Sequence, residues 1–265
     1  MEMRALCKKT HLKSRRNCIA NQTSLPTQIM QKAERSMNKK TGIQLNHSEY
    51  RWDTADSAAS FVLRYICTLR KFIHQGLQHQ DFASLILNDL VQQLVNTGYQ
   101  NTTYRHLRDY LIFSIKEHST NRLKESMQTL SKEEAIKWIN EDLKPTSTRW
   151  LQCWRDSLLE RAWRSLERLE HNEPQTPLYS VFHAFSVKPS ASLSMLNVEL
   201  ATTVGLRLTE HQIGDLLSEA KITFAQLIVD EISETISNSS RENILQEVQT
   251  LGLHRALENL HFSGH

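Results

Sequence analysis

The sequence is poor in the residues that punctuate tight turns. Seven glycines and five prolines stand among 265 residues, against average usage of about 7% and 5%. That scarcity leaves little room for a turn-rich β-fold. The glycines Gly42, Gly76, Gly98, Gly205, Gly214, Gly252 and Gly264 lie too far apart for a G-x-G-x-x-G or G-x-x-x-x-G-K-S/T phosphate loop. No apolar run approaches the roughly 18 residues of a membrane span, and the opening MEMRALCKKTHLKSRR lacks the apolar core of a secretory signal. The four cysteines, Cys7, Cys18, Cys67 and Cys153, stand apart with no C-x-x-C. They read as thiols of a reducing, cytoplasmic compartment rather than zinc ligands. The histidines form no H-E-x-x-H, and His74 and His79 are spaced off the face a helical metal pair prefers. No metal or other cofactor is expected.

Leu, Ala, Glu, Gln, Lys and Arg, all good helix formers, dominate what remains. With 39% hydrophobic and 23% charged residues the composition is that of a globular chain. The charge is unevenly placed. Residues 1–45 carry ten Lys/Arg against Glu2 and Glu34, a local +8 in a chain of net +3, which leaves −5 for residues 46–265. This polar segment has no apolar period and reads as a disordered tail. It is either a basic arm adding nonspecific attraction to nucleic acid or, if Met30 or Met37 is the true start, a segment that is not made.

From residue 50 the apolar period is helical. Phe61, Tyr65, Leu69, Phe72, Ile73 and Leu77 recur at three- and four-residue steps, and Phe82, Ile86, Leu90, Leu94 and Val95 do the same. Asp81 is an expected N-cap and Gly98 an expected stop for the second of these helices. A third helix is expected over 102–118, capped by Thr102 or Thr103, with Tyr104, Leu107, Leu111 and Ile115 on one face. Together they predict a small helical lobe over 50–125. Residues 126–148 read as a linker, with a short helix at 131–143 capped by Ser131 and a break at Lys144-Pro145-Thr146-Ser147-Thr148.

A second lobe is expected over 149–260. It opens on a long helix, 148–171, striped by Leu151, Trp154, Leu158, Ala162, Leu166 and Leu169. Arg149, Arg155, Arg161, Arg164 and Arg168 interleave with them. Arginine beside tryptophan can stack nucleic acid, but Glu160, Glu167 and Glu170 also offer helical charge partners. A short helix follows Pro177. Then come a helix over 193–203, a glycine turn at Val204-Gly205-Leu206, and a helix over 209–228 with Thr209 as N-cap. Leu200 and Ala201 before the turn, and Ile213, Leu216 and Leu217 after it, suit a helix-turn-helix. The predicted fold is all-α: two small helical lobes joined by a linker, the second containing that motif.

Two stretches resemble the extracytoplasmic-function type of RNA polymerase sigma factor. Asp89-Leu90-Val91-Gln92-Gln93-Leu94-Val95 is similar to the D-L-V-Q-E/D-x-F polymerase-binding signature of region 2, with Gln93 in place of the acid and Val95 in place of the aromatic. Downstream, Tyr104-Arg105-His106-Leu107-Arg108-Asp109-Tyr110-Leu111 resembles the family's F-R-x-W/Y-L segment. Val198 through Ala220 resembles region 4, with its I-A-x-x-L-G turn and L-x-x-A. The resemblance spans roughly 50–260. It implies a transcription-initiation factor with no catalysis of its own and with core RNA polymerase and promoter DNA as partners. An anti-sigma or other regulatory protein would join them, and no membrane.

Carried over residue by residue, the resemblance implies polymerase contacts at Asp89, Leu90, Gln92 and Gln93. It implies DNA contacts at Arg105, Arg108, Lys116, Arg122 and Lys124 in the first lobe and at His211, Gln212 and Lys221 in the second. One departure stands out. Residues 210–219 hold Glu210, Asp215 and Glu219 and no Lys or Arg, so phosphate repulsion opposes docking of this helix. The alternative is therefore a degenerate sigma-like interaction protein that has lost sequence-specific DNA binding. An unrecognised helical enzyme is the third class. Glu133-Glu134 and Glu141-Asp142 lie on polar helix surfaces and Cys153 has no evident base, so no catalytic set stands out.

Overall fold

The computed structural model describes residues 42–44, 52, 58–77, 80–98, 104–125, 132–205, 207–254 and 261–263. The chain is all-α apart from two three-residue strands, β1 (Gly42–Gln44) and β2 (His261–Ser263), which pair in parallel with Ile43 opposite Phe262. The helices are α1 (Ala58–Leu77), α2 (Gln80–Thr97), α3 (Leu107–Glu125), α4 (Lys132–Glu141), α5 (Thr148–Asn172), α6 (Leu178–Val187), α7 (Leu193–Thr203), α8 (Glu210–Glu234) and α9 (Arg241–Thr250). No helix among the described residues is long and apolar enough to cross a membrane.

The chain divides into two compact units, and the division differs from the expected lobes. One unit comprises Leu45–Arg161 with Ile228–Glu258, the other Met1–Gln44 with Ala162–Leu227 and Asn259–His265. Residues 148–161 thus belong with α1–α4 and not with the second lobe. The reason is aromatic. Trp150 and Trp154 are fully buried, with ring centroids 5.0 Å (Trp150–Phe72) and 4.5 Å (Trp154–Tyr65) from α1 partners. Burying each such ring contributes about 2–3 kcal/mol. The expected linker 126–148 carries α4, whose Trp138 lies 5.9 Å from Phe72. It is part of the core of that unit.

In the first unit the α1 and α2 stripes face inward as the period predicts: Tyr65, Leu69, Phe72, Ile73, Phe82, Ile86, Leu90 and Leu94 are buried. Val95 is 67% exposed and falls off the stripe. Gly98 accepts the positive φ of 61° that ends α2, and its N–H reaches Leu94 O at 3.0 Å. Asp81 lies inside the first turn of α2 rather than at the cap, because the helix begins at Gln80. The proposed caps Thr102, Thr103 and Ser131, and the side chain of Phe61, lie outside the described residues.

The second unit gathers Trp163 with Phe182 (5.0 Å, stacked) and Phe224 (4.7 Å). Glu170 is buried, accepting from Ser180 N at 2.7 Å and Ser180 Oγ at 2.6 Å. It thereby satisfies an N–H of the first turn of α6. That inward carboxylate shifts the stripe, and Leu169, expected on it, is 43% exposed. Of the expected tail, residues 42–44 are strand β1, and the remainder lies outside the described residues.

Candidate functional site

The amphipathic period of α2 turns Leu90 inward and so turns Asp89, Gln92 and Gln93, at i, i+3 and i+4, outward. Leu90 is fully buried. It anchors the helix and does not itself present a contact, contrary to its expected place in the polymerase-binding set. Antiparallel packing sets α3 beside α2, and a groove of about 430 Å³ opens between them, lined by Asp89, Gln92, Gln93, Asn96, His118, Asn121 and Arg122. Arg122 grips Asp89 with two bonds of 2.7 Å, Nε to Oδ2 and a terminal nitrogen to Oδ1. The hydrogen bonding and charge of Arg122 hold the Asp89 carboxyl below its usual range. His118 Nε2 meets Gln93 Oε1 at 2.7 Å, and burial pushes the His118 imidazole down, favouring its neutral form. The groove is therefore polar, closely balanced in charge, and rich in carboxamides.

The expected DNA-contacting residues meet different fates. Arg108 is buried in the fold: Nε donates to Glu247 Oε1 at 2.7 Å and a terminal nitrogen to Oε2 at 3.0 Å. Burial works against its charge, and the bonds and charges of Glu247 and Asp109 together outweigh that cost. Arg108 is thus not presented to phosphate. Arg122 belongs to the α2–α3 groove. Arg105 and Lys124 are exposed and Lys116 half-exposed. In the second unit, His211 Nδ1 lies 2.9 Å from Asp215 Oδ2. Gln212 is held in a reciprocal cap with Thr209: Thr209 N donates to Gln212 Oε1 at 2.8 Å and Gln212 N to Thr209 Oγ1 at 3.2 Å. The Lys221 ammonium sits 4.6 Å from the centre of the Phe185 ring.

No protein-family model, curated protein or solved structure matches the chain.

Between α7 and α8, Gly205 takes φ 74°, the backbone that only glycine adopts without cost. Ile213, Leu217 and Ala220 are buried while Glu210, His211, Gln212 and Asp215 face solvent. The solvent face of α8 is acidic. Across the described residues no group of His, Cys, Asp and Glu is arranged to hold a metal. Burial pushes the Cys153 thiol up to about 11, far from the range of a reactive thiolate.

Three side-chain contacts escaped the residue pattern: the Asp89–Arg122 pair, the His118–Gln93 bond and the Arg108–Glu247 pair. Their members are separated by 33, 25 and 139 residues. No local spacing signals contacts that distant.

Proposed function

We propose that this chain is a non-catalytic helical binding protein of sigma-factor-like pattern. In this reading it docks on core RNA polymerase through the α2 face and takes part in transcription regulation without reading promoter sequence by itself. The observation that carries the reading is where the two sets of expected contacts lie. Asp89, Gln92 and Gln93 share one open polar groove, with Gln92 exposed, Asp89 oriented by Arg122 and Gln93 by His118, whereas the expected DNA contacts Arg108, Gln212 and Lys221 are held by Glu247, Thr209 and the Phe185 ring. A cation already gripped by a carboxylate releases few counterions from DNA. The acidic solvent face of α8 adds repulsion.

The test is co-purification of the full chain with core polymerase, wild type against Asp89→Ala with Gln92→Ala, beside a titration against a selected DNA pool. The reading expects polymerase retention lost in the double variant and DNA affinity of roughly 10⁻⁴–10⁻⁶ M. Unchanged retention would sink it. Enrichment of a defined sequence at nanomolar affinity would favour the second reading, a promoter-reading sigma factor. The exposed cations Arg105 and Lys124 speak for that reading.

A further inference from the structure

The helix expected over 102–118 instead begins at Leu107, after a bend at Arg105 and the bridge residue His106. The cause is a strap formed by residues 235–254. Leu107 N donates to Thr235 O at 2.9 Å and Ser237 N to Arg105 O at 2.9 Å, flanking an antiparallel bridge between His106 and Ile236. Beyond it, α9 is capped by Ser240 and ends on Gly252 at φ 66°. The strap buries Ile244, Val248, Leu251 and Leu253, and delivers Glu247, 2% exposed, onto Arg108. Arg108 also meets Asp109 and, at 3.4 Å, Pro145 O.

We propose that this strap is an autoinhibitory element: it closes the head of α3 to nucleic acid, with the Glu247 carboxylate occupying the guanidinium fork that a phosphate would otherwise take. The inference rests on the sigma-factor-like reading above, whose resemblance implies nucleic-acid contacts at Arg108, Lys116, Arg122 and Lys124 of α3. Three features of the structure support it. A two-pronged Arg–carboxylate grip uses the same geometry as an Arg–phosphate grip. The strap covers the one cation of α3 that is buried while leaving Arg105 and Lys124 open. A charged pair inside a helical core adds little net stability over apolar side chains of similar volume, and a switch role is among the uses for which such pairs are kept. The buried aliphatic side chains of the strap make the closed form the resting one, and a partner must supply the energy to open it.

The experiment uses the full chain and a random-sequence DNA duplex titrated over a range of salt. Glu247→Gln keeps the shape and removes the charge. It should bind the duplex about tenfold more tightly at low salt, with a salt slope steeper by about 0.9, the signature of one further phosphate contact. Val248→Ala loosens the strap without touching the ion pair and should give a smaller gain, which keeps the test open should Glu247→Gln fail to fold.

The His106–Ile236 pair is flanked rather than joined by its two hydrogen bonds, so its Cα atoms lie about 4.5 Å apart, within disulfide reach. His106→Cys with Ile236→Cys, built on Glu247→Gln with Cys7, Cys18 and Cys67 replaced by Ser, should bind as weakly as wild type when oxidised and regain affinity with reductant. Equal affinity in both redox states, or folded Glu247→Gln and Val248→Ala variants with unchanged slope and affinity, overturns the strap. Polymerase co-purification of the same variants separates the two readings. DNA gain without polymerase retention fails the functional reading alone, and retention without DNA gain fails the strap alone.

Discussion

Trp138 Nε1 lies where a side chain on Gly76 would have to go: a Cβ placed there would fall 2.0 Å from it. The glycine of α1 is what lets α4 seat its indole against Phe72. Gly76→Ala should therefore destabilise the first unit by about 1–3 kcal/mol through overpacking, outweighing the helix propensity it gains. Chemical denaturation reads this directly. Combining it with Trp138→Phe, which removes the clashing edge, should recover part of the loss.

Gly214, in the interior of α8, is the opposite case. A Cβ there meets nothing closer than Leu193 Cδ1 at 3.8 Å, an ordinary contact. Gly214→Ala should stabilise the chain by about 0.5–1 kcal/mol, the helix penalty that glycine carries. A lower melting temperature for this variant would show that α8 needs the glycine for something other than room.

Arg161 and Glu231 meet through bonds of 2.6 and 2.9 Å, and Tyr65 Oη donates to the same carboxylate at 3.3 Å. The buried phenol, with Glu231 beside it, is held well above its ordinary value. Glu231→Ala strands the guanidinium and the phenol together and should cost about 3 kcal/mol. The paired change Arg161→Met with Glu231→Leu should cost much less. If the single and paired variants unfold at the same denaturant concentration, the stranded charge is not the source of the loss.

The Asp89–Arg122 pair predicts a pH signature. The folded value of Asp89 is depressed by Arg122, so its contribution is complete above the unfolded value of about 3.9. That contribution is lost as pH falls through the folded value. Wild type should exceed Arg122→Gln in stability above about pH 4, and the two curves should converge in stronger acid. Carboxyl NMR of Asp89 should show its titration moving up toward the ordinary carboxylate range in Arg122→Gln. A gap that persists in strong acid would mean that Arg122 acts through something other than this carboxylate.

The sequence by itself determined the all-α class, because few glycines and prolines and an apolar step of three and four residues leave no other secondary structure able to bury those side chains. It determined the inward faces of α1 and α2, the stop at Gly98, the Thr209 cap and the acidic solvent face of α8. Each of these depends on residues within a turn or two of one another. Tertiary structure decided where the units divide, because Trp150 and Trp154 bury against α1 and carry the first half of α5 with them. It also decided which cations remain open. Arg108 and Arg122 look alike in sequence to Lys116 and Lys124, and the arrival of Glu247 and Asp89 from segments far away in the chain takes the arginines out of play. A charge is available for a partner when no opposite charge from elsewhere in the fold reaches it first, and contacts between segments far apart in the chain leave no periodic trace in the sequence.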